Sequence, residues 1–581
     1  MPPLFGSSTK WRSKFVQSSG ASRLEHWHSF SGESTSQLQV FIYGRPIPDV
    51  DVWRDFKGQR GFISEIVARK YSQSSRWDWP REFSGVFAIL ILDARSAQMH
   101  LLTDPAGVCP VYCANPDTFQ SVELSTHPDL LVDHSKTDTL DYVSVAQFLS
   151  QGMVQFPYSY WAGVNALENG CVHTWDALSG KYSSQKYFEI CHRVSASRSQ
   201  IQDELIQSIE ASIARRTVPQ FGKSMIFLSG GLDSRMLAAQ LKTNASSASL
   251  FDVQNTEYRA VEEIVKALNL SHRFIRRGVD YYSKTALTAP RITGGYSSFT
   301  NAHFNLLIDR NPEIFLGVDT LFTGCFADWL FKGIAHNRER TRLMGRILPH
   351  YKFAEFDTHF FGANSKVLGP CLSQLSERNQ EFYAGIDCND RDQVEAKRLF
   401  PLYQEETSAT RLSLQRIADW DPPFIDRDVL TVYTKVPWKL KKNHDLFEKV
   451  CLALAPQTRG IPHSGTGKYL EEGNLRFFGR YAWSKASQVR RDPAAHDFGV
   501  YGHGSWLNFP RYLENSEIQR IWNEISMEAR DVVCNATGRN LWILSADQFR
   551  EIDYHLFYNA VTFGVWFDTR LSRNRPLVPA E

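Results

Sequence analysis

The sequence predicts a two-part chain: a β-rich region from about Leu38 to Tyr187, then strands alternating with helices on a parallel sheet, with helical additions toward the C-terminus. Three observations carry this expectation. Val86-Phe-Ala-Ile-Leu-Ile-Leu92 and Met99–Thr103 are short apolar runs separated by Asp93-Ala-Arg-Ser96, which has turn chemistry. Ser195-Ala-Ser-Arg-Ser-Gln200 has the composition of a linker. After it, strand, helix, strand and helix patterns follow one another within residues 224–268. That order implies a parallel sheet with right-handed crossovers.

In chain order, Val111–Cys113, Val122–Ser125 and Cys171–Trp175 continue the strand pattern, and the 13% aromatic content suits stacked sheets that need bulky filler. Gln202–Arg215 has helical apolar spacing at Leu205, Ile206, Ile209 and Ile213, and ends on Arg215-Arg216, which favours the helix dipole. Ser224–Leu228 reads as a buried strand, Arg235–Lys242 as an amphipathic helix, Ala248–Val253 as a second strand and Tyr258–Leu268 as a second helix. Beyond Ala335 the chain reads as helical and polar, broken at Pro422-Pro423, without repeats or low-complexity segments.

Composition narrows the classes of function. The chain has 581 residues, 65 Lys+Arg against 63 Asp+Glu, and 43% apolar residues, so two or three hydrophobic cores are expected. The longest clean apolar run, Val86–Leu92, is far short of the ~20 residues of a spanning helix. The first thirty residues show no secretory apolar core, so a cytoplasmic location and no membrane partner are expected. A net charge of +2 argues against nucleic acid as the main partner, and a homodimer is compatible with the composition. The nine Cys form no CxxC pair and read as small core residues. His26-Trp-His28 reads as an aromatic cluster rather than a metal pair, and Lys439-Leu-Lys-Lys442 as a solvated helix face.

Chemistry concentrates in Ser229-Gly-Gly-Leu-Asp-Ser234, at a strand end and opening a helix. Two glycines let several backbone N–H groups converge on one anion, the helix dipole adds positive potential, and two serines supply hydroxyls. Unlike a GxxxxGK[ST] loop, this one has no Lys and carries an acid, Asp233. An acid facing a polyphosphate makes sense with a divalent cation between them, and Mg²⁺ suits oxygen ligands. The plain alternative is a turn that caps a helix and binds nothing.

The string resembles the pyrophosphatase-type ATP loop. Leu321-Phe-Thr-Gly-Cys-Phe-Ala-Asp-Trp-Leu-Phe-Lys-Gly333 resembles the asparagine synthetase stretch SGxGxDELFGG, with Gly324 and Asp328 at matching places. Asp252–Leu270, Asp419-Trp-Asp-Pro-Pro-Phe-Ile-Asp426 and Pro456–Gly467 resemble further segments of that family. Phe83–Ala88 with Asp93, Asp104-Pro-Ala-Gly-Val-Cys-Pro-Val-Tyr112, Leu124–His127 and Val164–Gly170 resemble class II glutamine amidotransferase sheets. The resemblance implies a layered antiparallel β-sheet domain of the N-terminal-nucleophile-hydrolase kind over residues 1–195. Over 200–581 it implies a parallel α/β domain of the adenine-nucleotide α-hydrolase kind. ATP and Mg²⁺ are the implied cofactors. Leu228, Ser229, Gly230, Gly231, Leu232, Asp233, Ser234, Val253 and Gly324 are the implied nucleotide contacts, with Asp233 and Asp328 as metal ligands.

Two departures matter. Class II amidotransferases attack glutamine with an N-terminal Cys, whereas this chain starts Met1-Pro-Pro-Leu-Phe-Gly6, which implies a glutaminase-like domain kept as scaffold. Cys325 and Trp329 replace family acids, and near Pro456 the family's essential Lys is missing. Of Arg459, His463 and Lys468, Lys468 is the expected substitute on the developing phosphate charge, with surface Lys as the alternative. Asp419 and His463 are expected beside the attacking amine, His463 as its base. The expected activity is an AMP-forming ligase joining a small-molecule or peptide carboxylate to ammonia or an amine. A cyclase of the β-lactam synthetase or lasso-peptide type, and a non-catalytic scaffold, are the other readings.

Overall fold

The computed structural model describes residues 28–31, 37–55, 62–74, 76–116, 122–132, 140–192, 196–241, 245–278, 280–333, 338–340, 351–353, 369–387, 389–404, 407–441, 444–464, 469, 476 and 506–571. Met1–Gly6, His26-Trp27 and Lys468 lie outside them, as does the side chain of His28.

The N-terminal region is built on β1 (His28–Ser31), β2 (Leu38–Gly44), β3 (Phe87–Asp93), β4 (Gln98–Thr103), β5 (Tyr112–Ala114), β6 (Glu123–Ser125), β7 (Val164–Ala166), β8 (Cys171–Asp176) and β9 (Tyr182–Lys186). Six strands form an antiparallel sheet ordered β1-β2-β3-β4-β8-β9, and β6-β5-β7 form a second one. The all-apolar run in β3 is explained by burial on both faces. Ala88, Leu90 and Leu92 point into a core with Val111, Cys113 and Leu124 of the second sheet's region. Phe87, Ile89 and Ile91 point the other way, onto Ile63, Ile66 and Val67 of α1 (Phe62–Gln73). The β3–β4 turn closes as its chemistry requires: Asp93 accepts from the Arg95 N–H at 2.9 Å, and its carboxylate pairs with the Arg95 guanidinium at 2.8 Å. A short helix, α2 (Tyr142–Gln151), completes this region.

The stretch expected to link the halves is half helix. Ser197 and Gln200 form a reciprocal capping box at the start of α3 (Arg198–Arg216), which satisfies two N-terminal N–H groups. Then come β10 (Ser224–Phe227), α4 (Leu232–Leu241), β11 (Ala245–Phe251), α5 (Thr256–Leu268), β12 (His272–Arg276), α6 (Tyr281–Thr293), β13 (Thr320–Phe322), the one-turn helix α7 (Ala327–Phe331) and, beyond more helices, β16 (Asp419–Trp420). Strands β14 (Arg338–Arg340) and β15 (Tyr351–Phe353) form a separate antiparallel pair. The main sheet, ordered β12-β11-β10-β13-β16, is parallel throughout, so the loops after β10, β11 and β13 open at one edge.

The two regions share one core: a single cluster runs from Tyr43 and Leu90 through Leu205 and Met236 to Leu454 and Ile461. The C-terminal part, expected to be polar, contributes to a second apolar core shared with the N-terminal region. Tyr558, Val561, Phe563 and Trp566 of the last helix, α8 (Tyr554–Leu571), pack with Phe148 and Leu149 of α2 and Ala286 and Ala289 of α6.

Candidate functional site

In an open parallel sheet, ligand sites form beyond the carboxyl ends of adjacent strands. Here that edge carries Leu228–Gly231 after β10, Asp252–Asn255 after β11 and Thr323–Phe326 after β13. The glycine loop is folded by its own hydroxyls. The Ser229 N–H donates to Ser234 Oγ at 3.1 Å, Ser234 Oγ donates to the Ser229 carbonyl at 3.0 Å, and the Gly231 N–H donates to Ser229 Oγ at 3.2 Å. The Gly230 N–H donates to Glu257 Oε1 at 3.2 Å, so a carboxylate already sits at one of the loop's donors. The first N–H groups of a helix have no partner inside it. Among the described residues no group accepts from those of Leu232, Asp233 or Ser234, which leaves three donors at the start of α4 that an anion could use.

Close packing explains the glycines. A Cβ on Gly230 would lie 2.5 Å from Ser464 Cβ, and one on Gly324 would lie 2.6 Å from Asp233 Cβ. The loop is also tied down from behind by Arg235, a fully buried guanidinium. It donates to the carbonyls of Gly230 (2.9 Å), Gly231 (3.1 Å), Ile461 (3.0 Å) and Pro462 (3.0 Å). With the Ser464 N–H donating to the Gly230 carbonyl at 3.3 Å, residues 461–464 are docked onto the glycine loop.

Asp233 and Asp328 do converge, and a lysine joins them. Lys332 Nζ lies 2.5 Å from Asp233 Oδ1 and 2.6 Å from Asp328 Oδ1. Burial pushes Asp233 up to about 6, an effect the Lys332 ammonium opposes, and both carboxylates hold the Lys332 pKa above its ordinary value despite burial. Mg²⁺ between these two acids would need the position the ammonium holds. Among the described residues no group of three or more His, Cys, Asp or Glu side chains gathers that could hold a metal. As arranged, the acid pair does not fit a divalent cation. Phe326, just before α7, adopts φ +74°, a strained backbone for a residue with a side chain. Burial pushes the Cys325 thiol up to about 11, so it is a poor nucleophile.

Of the other expected residues, His463 is brought to the site. Burial, followed by the fields of Lys332 and Arg235, lowers its pKa to about 4, so its imidazole is neutral at pH 7. Val253 lies at the same edge, half-buried, its carbonyl accepting from the Asn255 N–H at 2.9 Å. Asp419 is not brought there. The register sets Asp419 beside Thr320 and Thr320 beside Ser224, at the edge where β10 begins rather than where it ends. Asp419 Oδ2 accepts from Arg45 Nε at 3.1 Å. Its neighbours Asp421 and Asp426 are likewise bound, accepting from Arg216 at 2.9 and 2.6 Å. The 419–426 segment thus supplies ion pairs that hold the sheet.

Sequence reasoning missed Lys332, Arg235 and Glu257. The i,i+4 spacing of Asp328 and Lys332 was a signal for the first. The reading of Lys439–Lys442 as a solvated face also needs correction. Lys441 is fully buried, paired with Glu395 and 4.1 Å from the centre of the Tyr433 ring.

A family model described as a glutamine amidotransferase domain matches residues 63–188. That span covers α1 and strands β3 to β9 of the antiparallel layers. No curated protein matches the chain. The N-terminal part therefore contains a glutamine amidotransferase-type domain. No helix among the described residues is long and apolar enough to cross a membrane.

Proposed function

We propose that the chain is an ATP-dependent amide-forming ligase. The glycine loop and the first turn of α4 hold the nucleotide's phosphates, a substrate carboxylate takes the AMP as pyrophosphate leaves, and ammonia or an amine displaces AMP. An acyl-adenylate is needed because a free carboxylate is a poor electrophile, and orienting both partners lowers the barrier. The observation that carries this reading is the cradle itself, partnerless first-turn N–H groups behind a two-glycine turn at the open edge of a parallel sheet.

The residues divide the work. Arg235 fixes the turn. As the new C–N bond forms and the C–O bond to AMP breaks, the amine's proton passes to a base; His463 is neutral at pH 7, but the burial and cations that lower its pKa to about 4 make it a weak one. No cysteine of the matched amidotransferase segment is poised to release ammonia from glutamine. Cys109, Cys113 and Cys171 are buried, with burial pushing Cys109 up to about 12 and Cys171 to about 11. The proposed source of the ammonia or amine is solution or the substrate itself.

A second reading, a scaffold that binds no nucleotide, is favoured by the Glu257 carboxylate on the Gly230 N–H. Pyrophosphate and AMP release across a panel of carboxylates, with and without added amine, separates the readings. Release that needs both carboxylate and amine supports the ligase, and release without added amine from a substrate carrying its own amine supports ring closure. No substrate-dependent release from any carboxylate supports the scaffold.

A further inference from the structure

We propose that Lys332 stands in for a divalent cation between Asp233 and Asp328, so that the resting acid pair binds no divalent metal. The inference rests on reading this edge as the nucleotide site only for its consequence; the geometry stands alone. Nζ lies 2.5 and 2.6 Å from one oxygen of each acid, while the Lys332 side chain is 4% exposed. Every surrounding element contributes. Gly324 lets β13's loop close on Asp233, where any side chain would strike its Cβ. Helix α7 sets Asp328 and Lys332 one turn apart, with the Lys332 N–H donating to the Asp328 carbonyl at 3.2 Å. The Phe447 ring lies 5.2 Å from Nζ.

Mg²⁺ binds oxygens at roughly 2.0–2.1 Å, so it and the ammonium exclude one another from the gap. Expelling the ammonium would leave the buried Lys332 charge without its two carboxylate partners, which disfavours the exchange. The cations acting on Asp233 are Lys332 and Arg235, which reduce its pull on a further cation, and His463 nearby is neutral at pH 7. If nucleotide binds here, any divalent ion accompanying it is held by phosphates rather than between these two acids.

Mn²⁺ alone is the probe, followed by electron paramagnetic resonance on the full chain without nucleotide. The wild type is expected to show no Mn²⁺ site that Asp233→Asn removes. Lys332→Met is expected to gain one, at least about ten-fold tighter than any wild-type binding, and Asp233→Asn in the Lys332→Met background to lose it. A wild-type site abolished by Asp233→Asn overturns the proposal, and so does a folded Lys332→Met without a site. Should Lys332→Met not fold, the wild-type titration decides. ATP binding by equilibrium dialysis is read separately: its absence removes the nucleotide reading and leaves the Mn²⁺ result standing.

Discussion

Arg45, just past β2 of the antiparallel sheet, donates from Nε to Asp419 Oδ2 at 3.1 Å, and its Nη1 donates to Thr320 Oγ1 at 2.8 Å. One guanidinium therefore clamps the N-terminal sheet to β13 and β16, at the edge away from the glycine loop. Asp419→Asn should lower stability by about 1–2 kcal/mol in urea denaturation, because a charged partner of a nearly buried Arg is lost, and leave ATP binding unchanged. A specific loss of ATP binding with stability intact would return Asp419 to the site.

Arg235 stitches two distant segments. Arg235→Met removes four hydrogen bonds to carbonyls of Gly230, Gly231, Ile461 and Pro462. The expected cost is about 3–4 kcal/mol. Hydrogen exchange should rise together at 230–231 and 461–464, a paired signature that a simple core defect would not produce.

Lys441 and Glu395 form a fully buried pair. Lys441→Met alone should cost about 3–5 kcal/mol, since the buried Glu395 loses its cation and keeps neutral contacts such as the Tyr433 hydroxyl at 3.5 Å. Lys441→Met with Glu395→Gln should recover most of that loss. A double variant as unstable as the single one would show that packing, rather than charge, dominates.

These pairs mark how far the sequence could be read. The apolar run of β3, the turn at Asp93–Ser96 and the strand–glycine–helix order at 224–241 are local patterns, and each has its expected form. Ser197 and Gln200 spell a capping box that the polar composition of the stretch obscured. Lys332 was legible only as an i,i+4 partner of Asp328, and its second acid, Asp233, lies far earlier in the chain, while Lys441 takes its meaning from the distant Glu395. Asp419 was misplaced for a related reason: family likeness located the segment, but strand register decides at which edge of the sheet its carboxylate lies.

His463 offers a pH test with a definite sign. Its pKa in the folded chain, about 4, lies below the ordinary 6.5. As pH falls from 6.5 toward 4 the unfolded chain takes up the proton first, so stability is lost over that window, by up to about 1.4 kcal/mol per pH unit. His463→Gln cannot titrate. Relative to wild type it should gain about 1–2 kcal/mol between pH 7.5 and pH 5 in paired urea titrations. An unchanged difference between the two proteins would mean that His463 is not held neutral.

Whether the Ser229–Ser234 turn binds a nucleoside triphosphate is tested by equilibrium dialysis with ATP, without knowledge of the carboxylate. The wild type is expected to bind one ATP. Gly230→Val, whose side chain must collide with Ser464, is expected to bind about ten-fold or more weakly while retaining its circular dichroism spectrum. A wild type that binds no ATP, or a folded Gly230→Val that binds it equally well, would mean that this turn is not a nucleotide site.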